Sequence, residues 1–232
     1  MVGKSSLLKI EQLVRPEYDR LRHWAHAWPH VERVAENARK LAGIVRADPV
    51  PCQIAAYCHD LGRIVEESLN HGRNIELGDL DHALYSIEKT VDVLRAVGIS
   101  GYEFDSIVGA VAVHSDKLYY GKNLIAKVLR DADKKESLGP WGILRMSNDF
   151  YHDIVDAAKI LKNKNNQKKM KNFAEETLKS IKGSRKKTSE FIRIIDFSLE
   201  WIEERMMDTS QGYSFVQQEY EYTRKAKEFL KE

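Results

Sequence analysis

The sequence predicts an all-α fold, and three observations support this. Apolar residues recur at steps of three and four over most of the chain, which is the spacing of one face of an α-helix. No stretch alternates apolar and polar residues for long enough to indicate a β-strand. Proline and glycine fall between the periodic segments, where they commonly begin or end helices. We therefore expect a bundle of helices without a sheet.

The first strongly periodic segment predicts an amphipathic helix over residues 30–46. Its apolar positions are Val31, Val34, Ala35, Ala38, Leu41, Ala42 and Val45. Pro51 then suits the first turn of a short helix with the sequence CQIAAYCHDLG, and Gly62 marks its expected end. Because this second helix is apolar on nearly all sides, we expect it to be buried.

Four further segments predict helices after a polar loop with the sequence NHGRNIELGD. Asp79 or Asp81 could cap a helix over residues 80–97, and Gly98 would end it. The other three predicted helices cover residues 102–114, 122–138 and 190–207.

The C-terminal part of the chain leaves the domain organisation open. Residues 162–187 are rich in lysine and short of apolar anchors, which predicts an exposed hairpin or loop. We expect the C-terminal helices of residues 190–232 to pack on the core that precedes them. The predicted organisation is one helical domain over residues 1–232, and a separate second domain is the alternative.

Composition and charge exclude several classes of protein. Charged residues make up 31% and apolar residues 43% of the chain, as in globular and not in disordered proteins. The formal net charge of +2 argues against nucleic acid as a partner. No apolar run reaches the roughly 18 residues that a membrane span requires. Two cysteines and no signal-peptide pattern lead us to expect a cytoplasmic protein.

Histidines and aspartates at the ends of apolar segments carry the chemistry. His59 and Asp60 end the short buried helix, where a charged carboxylate is costly unless something compensates it. A divalent metal would do so, because imidazole nitrogen and carboxylate oxygen both bind such ions. For these two residues alone, a helix-capping His59 and an ion pair of Asp60 with Arg63 would be the simpler explanation.

Further candidate ligands lie on other segments. His30 opens the first long helix, His82 lies near the start of another, and His114 ends AVAVHSD. The run LRDADKKESLG supplies Asp131 and Asp133, which stand about 200° apart on a helix and cannot readily share one ion. Because several helix ends can meet at one pocket, these residues together predict a metal site.

Five segments resemble, in this order, the HD superfamily of metal-dependent phosphohydrolases: HAWPHVERVAENARKLA, AAYCHDLGR, DHALYSIEKTVDVL, AVAVHSD and KVLRDADKKESLG. The resemblance covers residues 20–145 and implies an HD-domain-like helical bundle with additional C-terminal helices. It also implies four ligands of one metal ion, which are His30, His59, Asp60 and Asp133. The Ala-Asp pairing of the family favours Asp133 over Asp131.

The resemblance extends to a second ion and has two departures. In relatives with two ions, Asp60 bridges them, and the residues that match His82 and His114 hold the second. Relatives often read His-Asp where this chain has His26-Ala27, and they commonly carry leucine in place of Lys135. His26 and its neighbour His23 could add a ligand, but surface histidines are the simpler interpretation.

The resemblance implies an enzyme that cleaves a phosphoester or phosphoanhydride bond in a small phosphorylated molecule. We expect this molecule to be a nucleotide, and a water activated by the metal to attack the bond. The cofactor would be one or two divalent ions of Mn, Fe, Co, Zn, Ni or Mg. We expect three residues to act in catalysis: Asp60, Arg63 and Asp116. Substrate would contact Arg33, Arg63 and Lys117, since cationic side chains bind phosphate.

Two alternatives stay open. Some di-iron HD proteins are oxygenases that cleave C–C or C–P bonds, and His82 with His114 allows that chemistry. The other alternative is a regulatory or nucleic-acid-binding helical protein with a structural metal, which would bind through residues 162–187. An oligomer is compatible with the sequence.

Overall fold

The computed structural model describes residues 3–21, 24–70, 82–116, 119–151, 153–203 and 207–232. These residues form α-helices and one short 3₁₀ helix, and no strand occurs among them, so the predicted all-α class is confirmed. They divide into two units, Met1–Ala132 and Asp133–Glu232. The single domain predicted over residues 1–232 stays a prediction.

The first unit contains six complete α-helices and most of a seventh, in the part of it that the structure describes. They are α1 (Lys4–Tyr18), α2 (Trp28–Val45), α3 (Pro49–Cys58), α4 (Arg63–Asn70), α5 (His82–Ala96), α6 (Gly101–Ala112) and α7 (Leu124–Lys135), with a 3₁₀ helix at Trp24–His26 before α2. The helices predicted over 30–46, 80–97, 102–114 and 122–138 correspond to α2, α5, α6 and α7. Gly98 follows α5 with a φ of 75°, as expected of a residue that ends a helix.

Helix α3 lies at the centre of the first unit and packs against α1, α2, α5 and α6. Its predicted burial is confirmed, because Cys52, Ile54 and Cys58 are fully buried. Asp48 caps its start by accepting a hydrogen bond from the Val50 amide at 3.0 Å. The expectation that Gly62 ends this helix is wrong: α3 ends at Cys58, and a turn leads from there into α4.

The second unit contains the remaining helices: α8 (Gly139–Phe150), α9 (Ala157–Lys162), α10 (Gln167–Lys182), α11 (Arg185–Glu203) and α12 (Gly212–Lys231). Helix α8 packs against α10 and α12, and α11 packs against the same two helices. The predicted helix over 190–207 belongs to α11. Across both units, the described helices include none with the length and apolar character needed to cross a bilayer.

The Lys-rich segment 162–187 differs from the expected hairpin or loop, because most of it is the helix α10. Asn166 caps this helix through the Lys169 amide at 3.0 Å. The buried face of α10 consists of Met170, Ala174, Thr177, Leu178 and Ile181. Few apolar residues therefore suffice when they stand at helical spacing, and the abundant lysines occupy the opposite, exposed side.

Candidate metal centre

The carboxylate of Asp60 lies where the ends of several helices of the first unit meet. Asp60 is 3% exposed and follows α3 by two residues, directly after His59. His30 stands in the first turn of α2, His82 is the first residue of α5, and His114 follows α6 by two residues. The structure thus brings together five predicted ligands that are far apart in the sequence.

The two oxygens of Asp60 face different histidines. Oδ2 lies 3.7 Å from His30 Nε2 and 3.5 Å from His59 Nε2. Oδ1 lies 3.5 Å from His82 Nε2 and 3.7 Å from His114 Nε2. Asp60 therefore stands between two groups of imidazoles, which is the arrangement expected of a carboxylate shared by two metal sites.

One further histidine belongs to the Oδ2 group. His26 Nδ1 lies 3.4 Å from Asp60 Oδ2, and its side chain is 25% exposed. Its ligand atom lies within 4.8 Å of those of His30 and Asp60, and the same limit holds for the set of Asp60, His82 and His114. Each set is close enough for its members to share one cation. The interpretation of His26 as a surface histidine is wrong, and His23 lies outside the described residues.

The hydrogen bonds of two imidazoles favour the tautomer that binds metals. His59 Nδ1 lies 2.7 Å from the Ala56 carbonyl oxygen, and His114 Nδ1 lies 2.7 Å from the Val111 carbonyl oxygen. A carbonyl accepts only, so each Nδ1 carries the proton when the ring is neutral, and each Nε2 then presents a lone pair. A lone pair and a carboxylate oxygen facing each other repel unless a cation lies between them, so this donor set fits a metal ion.

The pKa of Asp60 reflects the positive field around it. Burial alone would raise this pKa, but the electrostatic effects of the neighbouring His59 and Arg63 hold it well below its ordinary value. Asp60 is therefore a carboxylate near neutral pH. The same positive field would come from a metal cation bound by neutral imidazoles.

Burial lowers the pKa of His82 to about 3, although the Asp60 carboxylate opposes this shift. His82 is therefore a neutral imidazole at neutral pH, which is the form in which histidine binds metals. Its Nε2 lies 3.2 Å from His114 Nε2, so these two nitrogens converge on the same side of Asp60.

Arg63 links the metal-binding groups to a second buried acid. Its Nε lies 3.5 Å from Asp60 Oδ1, and its NH1 donates to Glu66 Oε2 at 2.8 Å. The Arg63 side chain is 25% exposed, whereas the Glu66 side chain is 3% exposed. A guanidinium held beside Asp60 and partly open to solvent is suitably placed to contact a phosphoryl group.

Gly62 allows helix α5 to begin close to the turn that carries Asp60. The Gly62 amide donates to Ser86 Oγ at 2.8 Å, and Ser86 Oγ donates in turn to the His82 carbonyl at 2.9 Å. A Cβ atom at Gly62 would overlap the His82 carbonyl oxygen and lie 2.8 Å from the Ser86 nitrogen. The glycine is therefore required for close packing and not for ending a helix.

The other predicted site residues are Arg33, Asp116, Lys117 and Asp133. Arg33 is half-buried on α2, one turn after His30, and Asp116 is exposed beyond the end of α6. Lys117 lies outside the described residues. Asp133 stands in the last turn of α7 and belongs to the second unit, so its role as a ligand stays a prediction. Asp131, the alternative, is fully buried.

The sequence matches the family model of the HD domain over residues 28–138. The chain contains an HD domain. Its bounds include every described histidine near Asp60 except His26, which lies two residues before them. The HD domain and the metal-binding groups around Asp60 support an enzyme that is, in general terms, a metal-dependent phosphohydrolase.

Solved structures share the fold of this HD-domain protein. A predicted HD superfamily hydrolase from an uncultured Thermotogales bacterium is 24% identical, with 84% of this chain and 92% of that chain covered and a TM-score of 0.51. Bacillus subtilis YpgQ in complex with ADP is 18% identical, with 98% and 94% covered and a TM-score of 0.55. A Lactobacillus plantarum protein is 16% identical, with 100% and 97% covered and a TM-score of 0.59. No curated protein matches the chain.

Proposed function

We propose that the protein hydrolyses a phosphoester or phosphoanhydride bond in a small molecule, and that this molecule is a nucleotide. The observation that carries the proposal is the buried Asp60 carboxylate, whose two oxygens face separate groups of imidazoles. Imidazole and carboxylate are the ligands that a hydrolytic metal centre uses.

The two groups of imidazoles provide for one or two divalent ions of Mn, Fe, Co, Zn, Ni or Mg. His30, His59 and Asp60 would hold the first ion, and Asp133 is the fourth ligand that the family resemblance predicts. His82, His114 and Asp60 would hold the second. Such an ion, when bound, lowers the pKa of a water ligand and withdraws charge from phosphoryl oxygens.

Arg63 is the proposed contact with the phosphoryl group. Its guanidinium lies next to Asp60 Oδ1 and reaches solvent, so a bound phosphate could meet both the metal-binding groups and the cation. Arg33 is proposed as a second contact because it stands one turn after His30 on α2. Asp116 is proposed to orient the attacking water, and Lys117 to contact substrate, as the sequence predicts.

The choice of a nucleotide rests on a protein with the same fold. Bacillus subtilis YpgQ was crystallised with ADP, and the likeness covers 98% of the present chain. The phosphates of a nucleotide also suit the neighbourhood of a cationic guanidinium and a metal centre.

Removal and replacement of the metal provide the test. Protein treated with a chelator should lose the ability to release phosphate or pyrophosphate from a panel of nucleotides, and at least one of Mn, Co, Fe, Ni, Zn or Mg should restore it. Asp60→Asn should lower kcat/KM about a thousandfold, the size of loss that follows removal of an essential electrostatic group. It should also lower the metal content measured by elemental analysis.

Asp92→Asn is the matched control, because Asp92 is an exposed aspartate on α5. This variant should keep both the activity and the metal content. If Asp60→Asn matched the control in both measurements, the proposed site would be wrong.

The same metal-loaded preparations distinguish the proposed hydrolase from a di-iron oxygenase. Iron-loaded protein would then consume oxygen with its substrate, whereas the proposed hydrolase releases phosphate at an equal rate with and without oxygen when loaded with Zn or Mg.

A further inference from the structure

We propose that Glu66 is a positioning residue that holds the Arg63 guanidinium in the orientation needed to contact the phosphoryl group. The inference rests on the proposed function, because it requires Arg63 to bind substrate. It adds a residue that neither the sequence pattern nor the metal-binding groups single out.

The contacts of Arg63 show how this positioning works. The guanidinium lies between two buried carboxylates, with Nε 3.5 Å from Asp60 Oδ1 and NH1 2.8 Å from Glu66 Oε2. Arg63 and Glu66 both stand in the first turn of α4, three residues apart, so their side chains lie on the same face. A charge-assisted hydrogen bond from one side restricts a long and otherwise flexible side chain to few rotamers.

The burial of Glu66 argues against a role in stability alone. A buried carboxylate destabilises a fold unless its hydrogen bonds and charge are well compensated. Oε2 receives the bond from Arg63, but Oε1 is buried and accepts no hydrogen bond within the described part of the chain. Replacing both members of such a pair by neutral residues often leaves stability unchanged, so the charge of Glu66 is better explained by its effect on Arg63.

A second Arg–Glu pair in the same unit provides the contrast. Arg39 donates to Glu36 through Nε and NH2, both at 2.8 Å, and the two residues are again three apart on one helix. Their side chains are 49% and 45% exposed, which makes this pair an ordinary surface contact. The two pairs share their chemistry and spacing but differ in burial and in distance from the metal-binding groups.

The experiment compares Glu66→Gln, Arg63→Ala, the double variant and the control Glu36→Gln in the metal-reconstituted enzyme. Glu66→Gln should raise KM for the nucleotide about fivefold, since a neutral hydrogen bond holds the guanidinium roughly half as strongly as a charged one. Its kcat should change less than its KM, and its metal content should be unchanged. The loss of stability should be smaller than for a fully buried pair, because the Arg63 side chain is 25% exposed and stays beside Asp60. In the Arg63→Ala background, Glu66→Gln should have no further effect.

Glu66→Asp is a second variant that keeps the charge but shortens the side chain, so it should also raise KM. The inference is overturned if both Glu66 variants leave KM unchanged. It is also overturned if Glu66→Gln and Arg63→Ala reduce kcat/KM by independent factors, because Glu66 would then act elsewhere. Failure of the proposed function has a different signature: the unmodified protein would show no metal-dependent phosphate release at all.

Discussion

Both units bury charged side chains, but different neighbours offset the cost of burying the charge in each. In the second unit, Lys134 Nζ donates to Asp208 Oδ2 at 2.8 Å, and the two side chains are 3% and 6% exposed. In the first unit, the equally buried Asp60 carboxylate is approached by five imidazoles and one guanidinium. The contact described in the second unit is an ion pair, whereas the first unit assembles many nitrogen atoms around one anion.

The difference indicates how a binding site can be told from a structural ion pair. A buried pair of opposite charges needs nothing further, and it is retained because breaking it is costly. Six nitrogen atoms around one carboxylate exceed what its charge requires, and most of them are imidazole nitrogens suited to metals. The excess of nitrogen atoms around Asp60, more than the burial of its carboxylate, therefore indicates a binding site.

The largest expected effect is a loss of folding stability when the ion pair of the second unit is broken. Asp208→Asn leaves the Lys134 ammonium buried without its carboxylate, and should lower the free energy of unfolding by about 3–5 kcal/mol. Chemical denaturation measures this loss. The folded fraction should keep its full metal content, whereas Asp60→Asn should lose metal.

The matched control for Asp208→Asn is Asp153→Asn in the same unit. Lys187 and Asp153 are 2.6 Å apart, but Asp153 is 71% exposed. Removal of this surface pair should change the free energy of unfolding by less than about 1 kcal/mol. Equal losses in both variants would show that burial does not distinguish the two pairs.

A smaller effect, on activity, is expected from Gly62→Ala. This variant tests whether the imidazoles must stand close to Asp60, because it displaces one group of them. Because the added methyl group overlaps the His82 carbonyl oxygen, the start of α5 must shift away from Asp60. We expect kcat/KM to fall about tenfold or more, since small displacements of site residues have large kinetic effects. Nucleotide hydrolysis measures the effect.

Gly43→Ala serves as the control for Gly62→Ala. Gly43 lies within α2, and a Cβ atom there would meet nothing within 4 Å. This variant should keep its activity and gain up to about 1 kcal/mol of stability from the higher helix propensity of alanine. A stable and fully active Gly62→Ala enzyme would contradict the role given to the glycine.

The smallest expected effect concerns the lysines of α10. Lys168, Lys169 and Lys171 are exposed, so their combined replacement by alanine should change the free energy of unfolding by about 0.5 kcal/mol or less at each site. Metal-dependent hydrolysis should be unchanged. A large loss of activity, or of salt-dependent binding to nucleic acid, would favour the regulatory alternative over the enzyme.

The sequence was sufficient to predict several of the helices and most of the residues around Asp60. Apolar spacing marked α2, α5, α6 and α7 to within a few residues, because each of them buries one continuous face. The predicted histidines lie at helix ends, and a bundle brings helix ends together. The order and spacing of these histidines in the sequence therefore indicated that their side chains meet in the fold.

Other features could not be predicted because they depend on tertiary contacts. His26 precedes α2 in a 3₁₀ helix, where helical spacing does not show which way a side chain points. The signals were its position four residues before His30 and the His-Asp that relatives often carry at the positions of His26-Ala27. Glu66 reads in the sequence as a solvated acid beside an arginine, and its burial follows from the packing of α4. Helix α10 was missed because its lysines are as numerous as its apolar residues, which conceals the helical spacing of the apolar face.

The dispersal of the ligand atoms along the chain has a consequence for how the protein acquires its metal. From His26 to His114, every intervening connection must close before both groups of imidazoles stand around Asp60. A growing polypeptide therefore lacks the complete set of ligand atoms until nearly all of the first unit has been synthesised. An ion bound by these groups would therefore stabilise the finished structure and not the partly formed ones.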